Sequence, residues 1–475
     1  MRAFLAKLTA KTVKFGLRIM GRGATTLPGK MALKVDPKII AKTASGKFII
    51  TVTGTNGKTT TSHMISEMTQ QFEGYEVINN ISGANLASGI ATTLICEKPK
   101  TSGKVIYVLE TDEAAFAKIA GDLQPKISVV TNLFRDQLDR YGELTHTRDL
   151  IASGIDKNDA RLILNSDDSL VASLGKGREK RSLFFGMDKE KMAFNNVTYP
   201  AKKAVLRASS DAVYCPDCQV KYEYKARSFS HLGDFYCPSC GFKSPANDYS
   251  VIYDLKESPS NEGYGFQISY KDQINDMQLV IPGMHNLYNT CAAVATVKEM
   301  LDLTKADGDS FKKSCEASSG VKAAFGRMEK IDLEGGKKLC ILLVKNPAGL
   351  DRSLSFVSEA KDAGALMFLL NSNTADGKDV SWIWDVDFES KMQDMPEKIY
   401  VSGERYGDMY LRVNYSGTDN KTVTCEPMEN AVTLLKKAVS ECKEGECVYV
   451  LPNYTAMLDL RGRLVNELGI KDFWK

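Results

Sequence analysis

The stretch Thr51–Thr61, TVTGTNGKTTT, constrains the fold of this chain more than any other. Residues 47–52, which overlap the start of this stretch, are mostly β-branched and apolar and predict a strand. The segment SHMISEMTQQ (62–71), which follows it, predicts a helix. A glycine-rich loop between a strand and a helix N-terminus directs backbone N–H groups towards an anion. We therefore expect a phosphate-binding loop at the carboxyl end of a strand in an α/β sheet.

The residue types in this loop suit a nucleoside triphosphate. Glycines allow close approach of the phosphates, Lys58 would reach the β- and γ-phosphates, and the Thr59 hydroxyl would bind Mg²⁺. The common pattern G-x4-G-K-[ST] is not met, because Val52 occupies the first glycine position and a shorter T-G-T-N-G-K-T loop remains. The predicted ATP-binding residues of the loop are Gly54, Thr55, Asn56, Gly57, Lys58, Thr59 and Thr60.

Four of the eleven cysteines form two C-x-x-C pairs, which are Cys215, Cys218, Cys237 and Cys240. Each pair can bring two thiolates onto one metal ion, and the spacing between the pairs is typical of a zinc ribbon. Because four thiolates complete a tetrahedral zinc site and leave no position for water, we expect the Zn²⁺ to be structural. A redox role for either pair is the weaker interpretation.

Charge is unevenly distributed along the 475 residues, a length that predicts two or three domains. Residues 1–47 contain eleven lysines and arginines and one acidic residue, whereas the remainder has a net charge of −7. Charge therefore argues against nucleic-acid binding by the bulk of the chain and defines a basic N-terminal arm, 1–44. The sequence has no run of 18 apolar residues, so we expect no membrane span.

The sequence of the N-terminal arm predicts a helix with an apolar face and cationic faces. Cations interrupt every candidate signal-peptide core: Lys7, Lys11, Lys14 and Arg18. Large apolar residues fall roughly on one helical face: Phe4, Leu8, Phe15 and Ile19. We first expect this helix to pack on the protein itself. Attraction of the arm to anionic lipid or a lipid-linked substrate is the alternative, and nucleic acid is a weaker one.

The extended loop TGTNGKTTT resembles the ATP loop of the Mur ligase superfamily, whose members join a carboxylate to an amine through an acyl phosphate. Further segments follow in that family's order: VIYVLETD (105–112), TNLFRDQLDRYG (131–142), GMHNLYN (283–289) and GRME (326–329). The resemblance implies that Glu110 is a catalytic acid that binds a second Mg²⁺. It also implies that Asn286 and Asn289 hold the adenine and that Arg327 faces the phosphates.

Within the superfamily, two features of this sequence resemble those of the MurT family of lipid II isoglutaminyl synthase subunits. These are the inserted cysteine ribbon and four C-terminal segments: KNPAGLDRSL (345–354), DGKDVSWIWDVDFE (376–389), SGERYGDMYLR (402–412) and LPNYTAMLDLR (451–461). The resemblance implies ATP-dependent amidation of the D-glutamate α-carboxylate of the lipid II stem peptide to D-isoglutamine. Ammonia would come from a GatD-like class I glutamine amidotransferase, the partner in a heterodimer. The implied location is cytoplasmic, at or near the inner face of the membrane.

The expected fold class is α/β, with a Mur-ligase-type P-loop ATPase domain, an inserted zinc ribbon and a C-terminal Rossmann-like domain. The ATPase domain is expected over 45–325 as a doubly wound sheet, with the insertion at about 196–270, and the C-terminal domain over 326–475. In the latter we predict strands near 339–345, 365–371, 398–401 and 447–451, helices near 351–361 and 427–441, and a loop at 371–377.

The segment DGKDVSWIWDVDFE is rich in acids and tryptophan. Alternation of Trp382 and Trp384 with Ile383 and Asp385 predicts a short strand or extended edge. The resemblance implies that an aspartate of this domain completes the Cys–His pair of the amidotransferase partner, as a triad acid would. Asp385 is the first candidate, and the others are Asp379 and Asp387.

Other interpretations remain open. One is a Mur-type ligase that adds an amino acid or glutamate. Another is a zinc-ribbon P-loop protein that binds nucleic acid or acts as a regulatory NTPase, although 215–240 has no surplus of cations. Amino-acid-adding Mur ligases often have Asp-x-x-x-x-Pro for the ribose, but here Leu342 stands five residues before Pro347, so Lys345 or Asn346 would take over this role. Alternatively, KNPAG is a strand-to-helix turn without ligand contact. Whether lipid I or lipid II is preferred is also open.

Overall fold

The computed structural model describes residues 1–20, 24–80, 84–135, 144–198, 211–254, 264–279, 284–319, 321, 329–373, 376–417 and 420–468. These residues form two compact units. The first unit holds the described residues up to 134, together with 144–198 and those from 212 to 321. The second holds those from 329 onward, with Arg135 and Asp211.

The first unit contains a central sheet with helices. Its helices are α1 (Arg2–Ile19), α2 (Leu27–Val35), α3 (Ile39–Ala44), α4 (Lys58–Gln70), α5 (Ala87–Cys96), α6 (Glu113–Leu123), α7 (Leu144–Ile155), α8 (Ser169–Ser173), α9 (Lys189–Thr198), α10 (Met284–Leu303) and α11 (Ser310–Ser318). Its strands are β1 (Phe48–Thr53), β2 (Tyr75–Asn79), β3 (Lys104–Glu110), β4 (Ile127–Val130), β5 (Arg161–Asn165), β6 (Ser182–Met187), β7 (Glu223–Phe229), β8 (Leu232–Tyr236), β9 (Tyr249–Ile252), β10 (Tyr264–Tyr270) and β11 (Gln273–Leu279).

The central sheet has the order β11-β10-β9-β6-β5-β4-β1-β3-β2. Strands from β2 to β9 in this order pair in parallel, and β10 pairs antiparallel with both β9 and β11. After β1 the chain forms β2 and β3 on one side of β1 and then β4 on the other, which is a topological switch point. Ligands of open α/β sheets bind at the carboxyl ends of strands at such a point. The ends of β1, β3 and β4 therefore frame the candidate site.

The N-terminal helices pack on this unit through small residues. Ala6 and Ala10 of α1 are buried in a cluster with Ala32, Ile39 and Ile95. The large apolar residues of α1 are instead exposed: Phe4, Leu8, Phe15 and Ile19. The first expectation, that the arm is a helix packed on its own protein, is confirmed, although the contact is made by the alanine side of the helix and not by its large apolar residues. In the part of the chain that the structure describes, no helix is long and apolar enough to cross a membrane.

The second unit is another α/β layer structure. Its helices are α12 (Pro347–Glu359), α13 (Tyr406–Asn414), α14 (Ala431–Glu441) and α15 (Tyr454–Leu468). Its strands are β12 (Glu329–Asp332), β13 (Lys338–Ile341), β14 (Ala363–Leu369), β15 (Lys398–Ser402), β16 (Thr422–Cys425) and β17 (Cys447–Pro452), in the sheet order β12-β13-β17-β14-β15-β16. All these pairs are parallel except β12 with β13. Successive residues of β14 enter two different cores, Leu366 and Phe368 on one face and Met367 on the other.

The acid- and tryptophan-rich segment differs from its prediction. Residues Ser381–Asp385 form a 3-10 helix, so the predicted short strand is wrong. The buried residues Val380 and Ile383 are three positions apart, which matches the 3-10 repeat, and the N–H of Ile383 donates to the Val380 carbonyl over 3.2 Å. Because Val380 and Ile383 are both buried, this segment forms a helical turn and not the strand that the alternating tryptophans suggested.

Candidate nucleotide and metal sites

The loop between β1 and α4 requires glycine at two positions. Gly54 and Gly57 have φ angles of +117° and +83°. A Cβ on Gly54 would lie 2.5 Å from the Thr131 hydroxyl, and one on Gly57 would lie 2.3 Å from the Asn289 side-chain oxygen. Side chains are therefore excluded from both positions, because they would collide with the segment after β4 or with Asn289. The loop leads into the N-terminus of α4, where free backbone N–H groups favour an anion.

The segment after β4 holds the loop in shape. The N–H of Thr55 donates to the Asn132 carbonyl over 2.8 Å, and the N–H of Asn56 donates to the Asn132 side chain over 2.9 Å. The Thr131 hydroxyl donates to the Asn56 carbonyl over 2.7 Å. Thr131 and Asn132 thus position the backbone of the loop. Of the same predicted segment, Asp136, Asp139, Tyr141 and Gly142 lie outside the described residues.

Lys58 is held by an acid that the sequence analysis missed. Its ammonium group lies 3.0 Å from the Glu113 carboxylate and also donates to the carbonyls of Gly54 and Thr55. The side chains of Lys58 and Glu113 are only 13% and 6% exposed. Burial raises the pKa of Glu113, and the charge of Lys58 opposes this rise. The available signal was weak: Glu113 is the third acid in the run ETDE, at the first position of α6.

The residues predicted to bind Mg²⁺ lie on adjoining elements. Glu110, buried at the end of β3, is paired in register with Val52 of β1, and its carboxylate accepts from Asn85 over 3.3 Å. Thr59 is half-buried in the first turn of α4. Thr60 beside it is buried, and its hydroxyl has no hydrogen-bond partner within the described ranges. Hydroxyl and carboxylate oxygens are suitable Mg²⁺ ligands, so these residues fit a nucleotide–metal complex.

Helix α10 brings two predicted adenine-binding residues to this site. Asn286 and Asn289 are buried in its first turns, and the Asn289 amide donates to the Asn286 side chain over 3.0 Å. The Thr61 hydroxyl lies 3.4 Å from the Asn289 oxygen, which also faces Gly57. Asn289 thus contacts the loop itself. The predicted phosphate-facing Arg327 lies outside the described residues, as do Gly283, Gly326 and Met328.

The four ribbon cysteines converge. Their sulfur atoms all lie within 4.8 Å of one another, with 3.6 Å between Cys215 and Cys240 and 3.4 Å between Cys218 and Cys237. A tetrahedral site with Zn–S bonds of about 2.3 Å has sulfur–sulfur edges of about 3.8 Å. The four thiols therefore fit one Zn²⁺ ion.

The backbone of the two cysteine turns is built alike. The N–H of Gln219 donates to the Cys215 carbonyl over 2.9 Å, and the N–H of Gly241 donates to the Cys237 carbonyl over 3.0 Å. Gln219 and Gly241 both have positive φ angles, +59° and +75°. Two equivalent turns that present paired thiols are the expected halves of one tetrahedral site.

A hairpin of β7 and β8 joins the cysteine turns and reaches towards the nucleotide loop. The Ser228 hydroxyl lies 2.5 Å from that of Tyr288, and Tyr288 donates to buried Asp167 over 2.7 Å. His231 at the hairpin tip is fully buried, 3.3 Å from Asp168. Since Tyr288 lies between Asn286 and Asn289 on α10, the hairpin is connected to the helix that contacts the nucleotide loop. This hydrogen-bond network was not predicted from the sequence.

In the second unit, a buried arginine holds the turn that carries Asp385. Arg412 of α13 donates to the carbonyls of Ile383 and Val386 over 3.1 and 2.7 Å and forms two hydrogen bonds with the Glu389 carboxylate. The Asp385 side chain is 47% exposed and lies 3.7 Å from the guanidinium of Arg135 in the same unit. The turn therefore presents this carboxylate to solvent from a fixed backbone.

The other two candidate acids stabilise local turns. Asp379 accepts the N–H of Ser381 over 2.8 Å, which lowers its pKa. Asp387 accepts the N–H and the hydroxyl of Ser390. Asn346 in KNPAG similarly accepts the N–H of Gly349 over 2.8 Å and caps α12. The side chains of Asp379, Asp387 and Asn346 thus bind backbone N–H groups of their own turns, whereas the recorded contact of the Asp385 side chain is with Arg135.

Two family models match this chain. The Mur ligase middle domain matches residues 52–223, and the MurT ligase C-terminal domain matches residues 343–457. Among solved structures, a pseudomurein peptide ligase type C from Methanothermus fervidus covers 91% of this chain and 81% of its own, with a TM-score of 0.65 and 21% identity. This likeness shows a Mur ligase α/β fold.

Curated relatives match over nearly the full length. The lipid II isoglutaminyl synthase (glutamine-hydrolyzing) subunit MurT of Streptococcus pneumoniae is 35% identical, and the match covers 98% of each chain. The corresponding subunit of Staphylococcus aureus is 32% identical, again over 98% of each chain. With the phosphate loop, the cysteine cluster and both family models in their expected order, these matches show that the chain belongs to the MurT family of Mur ligases.

Proposed function

We propose that this chain is the ATP-dependent amidating subunit of a lipid II isoglutaminyl synthase. The observation that carries the proposal is 35% identity, over 98% of both chains, to a subunit of that name. The match of 343–457 to the MurT C-terminal family favours amidation over the addition of an amino acid by a general Mur ligase. The substrate would be the α-carboxylate of D-glutamate in the lipid II stem peptide, and the product D-isoglutamine.

The proposed reaction has two steps. A carboxylate oxygen attacks the γ-phosphorus of ATP, the bond to the β-phosphate oxygen breaks, and ADP leaves. Ammonia then attacks the carbonyl carbon of the acyl phosphate, loses a proton and displaces inorganic phosphate. The backbone N–H groups from Gly54 to the N-terminus of α4 would hold the phosphates, with Lys58 turned from Glu113 towards them. Asn286 and Asn289 would hold the adenine, and Arg327 would face the phosphates.

Metal ions would have two separate functions. Two Mg²⁺ ions, one bound by Thr59 and the second by Glu110, would neutralise charge on the transferred phosphoryl group. Zn²⁺ bound by the four cysteines would be structural, because four thiolates fill its coordination sphere. We propose the ribbon as an insertion at about 196–270 in an ATPase domain of 45–325, preceded by the arm 1–44 and followed by a C-terminal domain of 326–475.

The ammonia donor would be a GatD-like glutamine amidotransferase that binds the second unit in a heterodimer. Asp385 would complete its Cys–His pair by orienting the histidine and stabilising its cation. Exposed aromatic side chains of the same unit support this location: Trp384, next to Asp385 in sequence, contacts Tyr415 edge-on at 5.6 Å, and Tyr406 and Tyr410 of α13 are also exposed. Aromatic side chains are enriched at the cores of protein interfaces. Because lipid II is membrane-anchored, the heterodimer would act at the cytoplasmic face of the membrane.

An amidation assay tests the proposal directly. Purified chain is incubated with lipid II, ATP and Mg²⁺, with glutamine plus the amidotransferase subunit or with ammonium chloride alone, and the product is identified by mass spectrometry. We expect D-isoglutamine-containing lipid II in both reactions and none without ATP. Addition of glutamate or another amino acid, or ATP turnover without amidation, would contradict the proposal.

A further inference from the structure

The exposed side of α1 is unusual for a helix packed on a globular unit. Phe4 and Phe15 are 69% and 67% exposed, and Leu8 and Ile19 beside them are also exposed. At about 100° per residue, these four side chains lie within one sector of roughly 60° along the helix. They form two apolar pairs aligned on one side of the helix, Phe4 with Leu8 and Phe15 with Ile19, which we call the α1 stripe. A water-exposed stripe of large apolar residues indicates an interaction surface.

The packed and exposed sides of α1 are opposite each other. Ala6 and Ala10 face the protein, and at about 100° per residue their direction is about 180° from the centre of the α1 stripe. The helix is therefore fastened through small residues while its large apolar residues point away from the unit. A contact by the α1 stripe does not require the helix to detach.

Charge indicates what the α1 stripe meets. A row of cations borders it along one side: Lys7, Lys11, Lys14 and Arg18. Residues 1–47 contain a single acid, Asp36, which is buried and paired with Lys42. Glu97, which directly follows α5, faces this row through an ion pair with Lys14. An apolar stripe next to a cationic row is the arrangement of a helix that lies in the plane of an anionic lipid surface.

We propose that α1 docks this protein onto an anionic lipid bilayer, with the α1 stripe inserted between headgroups and the cationic row against lipid phosphates. The inference goes beyond the proposed catalytic function, since it names the element that brings the enzyme to a membrane-anchored substrate. It does not depend on ATP, on lipid II or on the amidotransferase partner, so it can be tested without any of them.

The test is sedimentation of the full chain with vesicles of phosphatidylglycerol and phosphatidylcholine, compared with vesicles of phosphatidylcholine alone. We expect binding to the anionic vesicles that weakens as salt is added. The variant Phe4→Ser/Phe15→Ser should bind at least about tenfold more weakly, because apolar insertion is lost. The matched control Ile274→Ser/Leu303→Ser removes two exposed apolar side chains elsewhere on the same unit and should bind like the unaltered chain.

A second pair of variants separates charge from insertion. Lys7→Glu/Lys11→Glu reverses part of the cationic row, and Lys118→Glu/Lys180→Glu makes the same change of charge at exposed positions outside α1. We expect only the first to lose about tenfold or more in binding to anionic vesicles. Circular dichroism melting curves check that each variant is folded, as expected for substitutions at exposed positions.

Several results would overturn the proposal. These are no binding to anionic vesicles, equal binding to neutral ones, or undiminished binding by Phe4→Ser/Phe15→Ser. A concentration-dependent dimer that this variant abolishes would assign the α1 stripe to a second copy of the chain instead. Failure to amidate lipid II would contradict the catalytic proposal alone, because vesicle binding is measured without substrate.

Discussion

Replacing Lys58 by alanine is expected to destabilise the first unit as well as abolish ATP turnover. The Lys58 ammonium lies 3.0 Å from Glu113, and the two side chains are 13% and 6% exposed. Removing one partner of a buried ion pair leaves the other charge uncompensated, which typically costs about 3 kcal/mol. The usual test of a phosphate-binding lysine is therefore confounded here, and a lost activity would not by itself assign Lys58 to the phosphates.

The companion variants are Glu113→Gln and Lys58→Ala/Glu113→Gln. Because the double variant has no buried charge to compensate, we expect it to regain most of the lost stability, with a coupling free energy of about 2 kcal/mol. It should nevertheless remain inactive, since the cation for the phosphates is missing. Lys14→Ala is the control: its pair with Glu97 is 34% and 48% exposed, and its loss should cost less than about 1 kcal/mol.

The cost of Lys58→Ala should increase with pH. Burial raises the pKa of Glu113 in the folded chain, and removing Lys58 raises it further. A carboxyl group with a raised pKa binds more protons when folded, so stability decreases as pH rises from the unfolded pKa, about 4.3, to the folded pKa. We expect a larger loss at pH 8 than at pH 5 for Lys58→Ala, and no such difference for the double variant.

Amide hydrogen exchange can show that the loss of stability in Lys58→Ala is in the first unit. Trp382 and Trp384 lie in the second unit, so their fluorescence reports on that unit and not on the loop around Lys58. Amide exchange of a peptide covering β1 and α4 reports on the first unit and should accelerate on the order of a hundredfold for a loss of about 3 kcal/mol. The ion-pair argument is refuted if this peptide exchanges in Lys58→Ala at pH 8 as slowly as in the unaltered chain. It is also refuted if exchange in the double variant is as fast as in Lys58→Ala.

Four further outcomes are expected. Metal analysis should find one zinc per chain, and Cys215→Ser should lower zinc content and melting temperature more than it alters ATP chemistry; zinc-free protein purified without chelator would contradict this. Tyr288→Phe should cost about 2 kcal/mol in urea unfolding, because burial already raises the pKa of Asp167 and a donor to it is lost; unchanged stability would dismiss this network. Glu110→Ala should raise the Mg²⁺ concentration needed for turnover, and an unchanged requirement would remove it as a ligand. Asp385→Asn should abolish most glutamine-dependent amidation but spare amidation with ammonium chloride; equal loss with both nitrogen sources, or with neither, would exclude it as the triad acid.

Local patterns predicted much of the fold. Both halves of the P-loop unit, β1 and α4, were expected from contiguous residues, as were the cysteine pairs and the strands at β14, β15 and β17. The helices α13 and α15 and the edge strands β12 and β16 were missed. In β16 only four residues, TVTC, carry the pattern, and its partner β15 stabilises the conformation. At 381–385 the alternation suggested a strand, but burial of Val380 and Ile383 required a helical turn.

The sequence by itself determined the chemistry available to this protein: a glycine loop with one lysine, and four thiols in two pairs. Such features are readable because a few adjacent residues carry them. Tertiary structure decided which groups meet: Lys58 with Glu113, 55 positions away, Thr61 with Asn289, 228 away, and Ser228 with Tyr288, 60 away. It also decided that α1 packs through its alanines and exposes its phenylalanines. These pairings depend on strand order and on which helix face finds a complementary surface, and neither is a property of a contiguous stretch of residues.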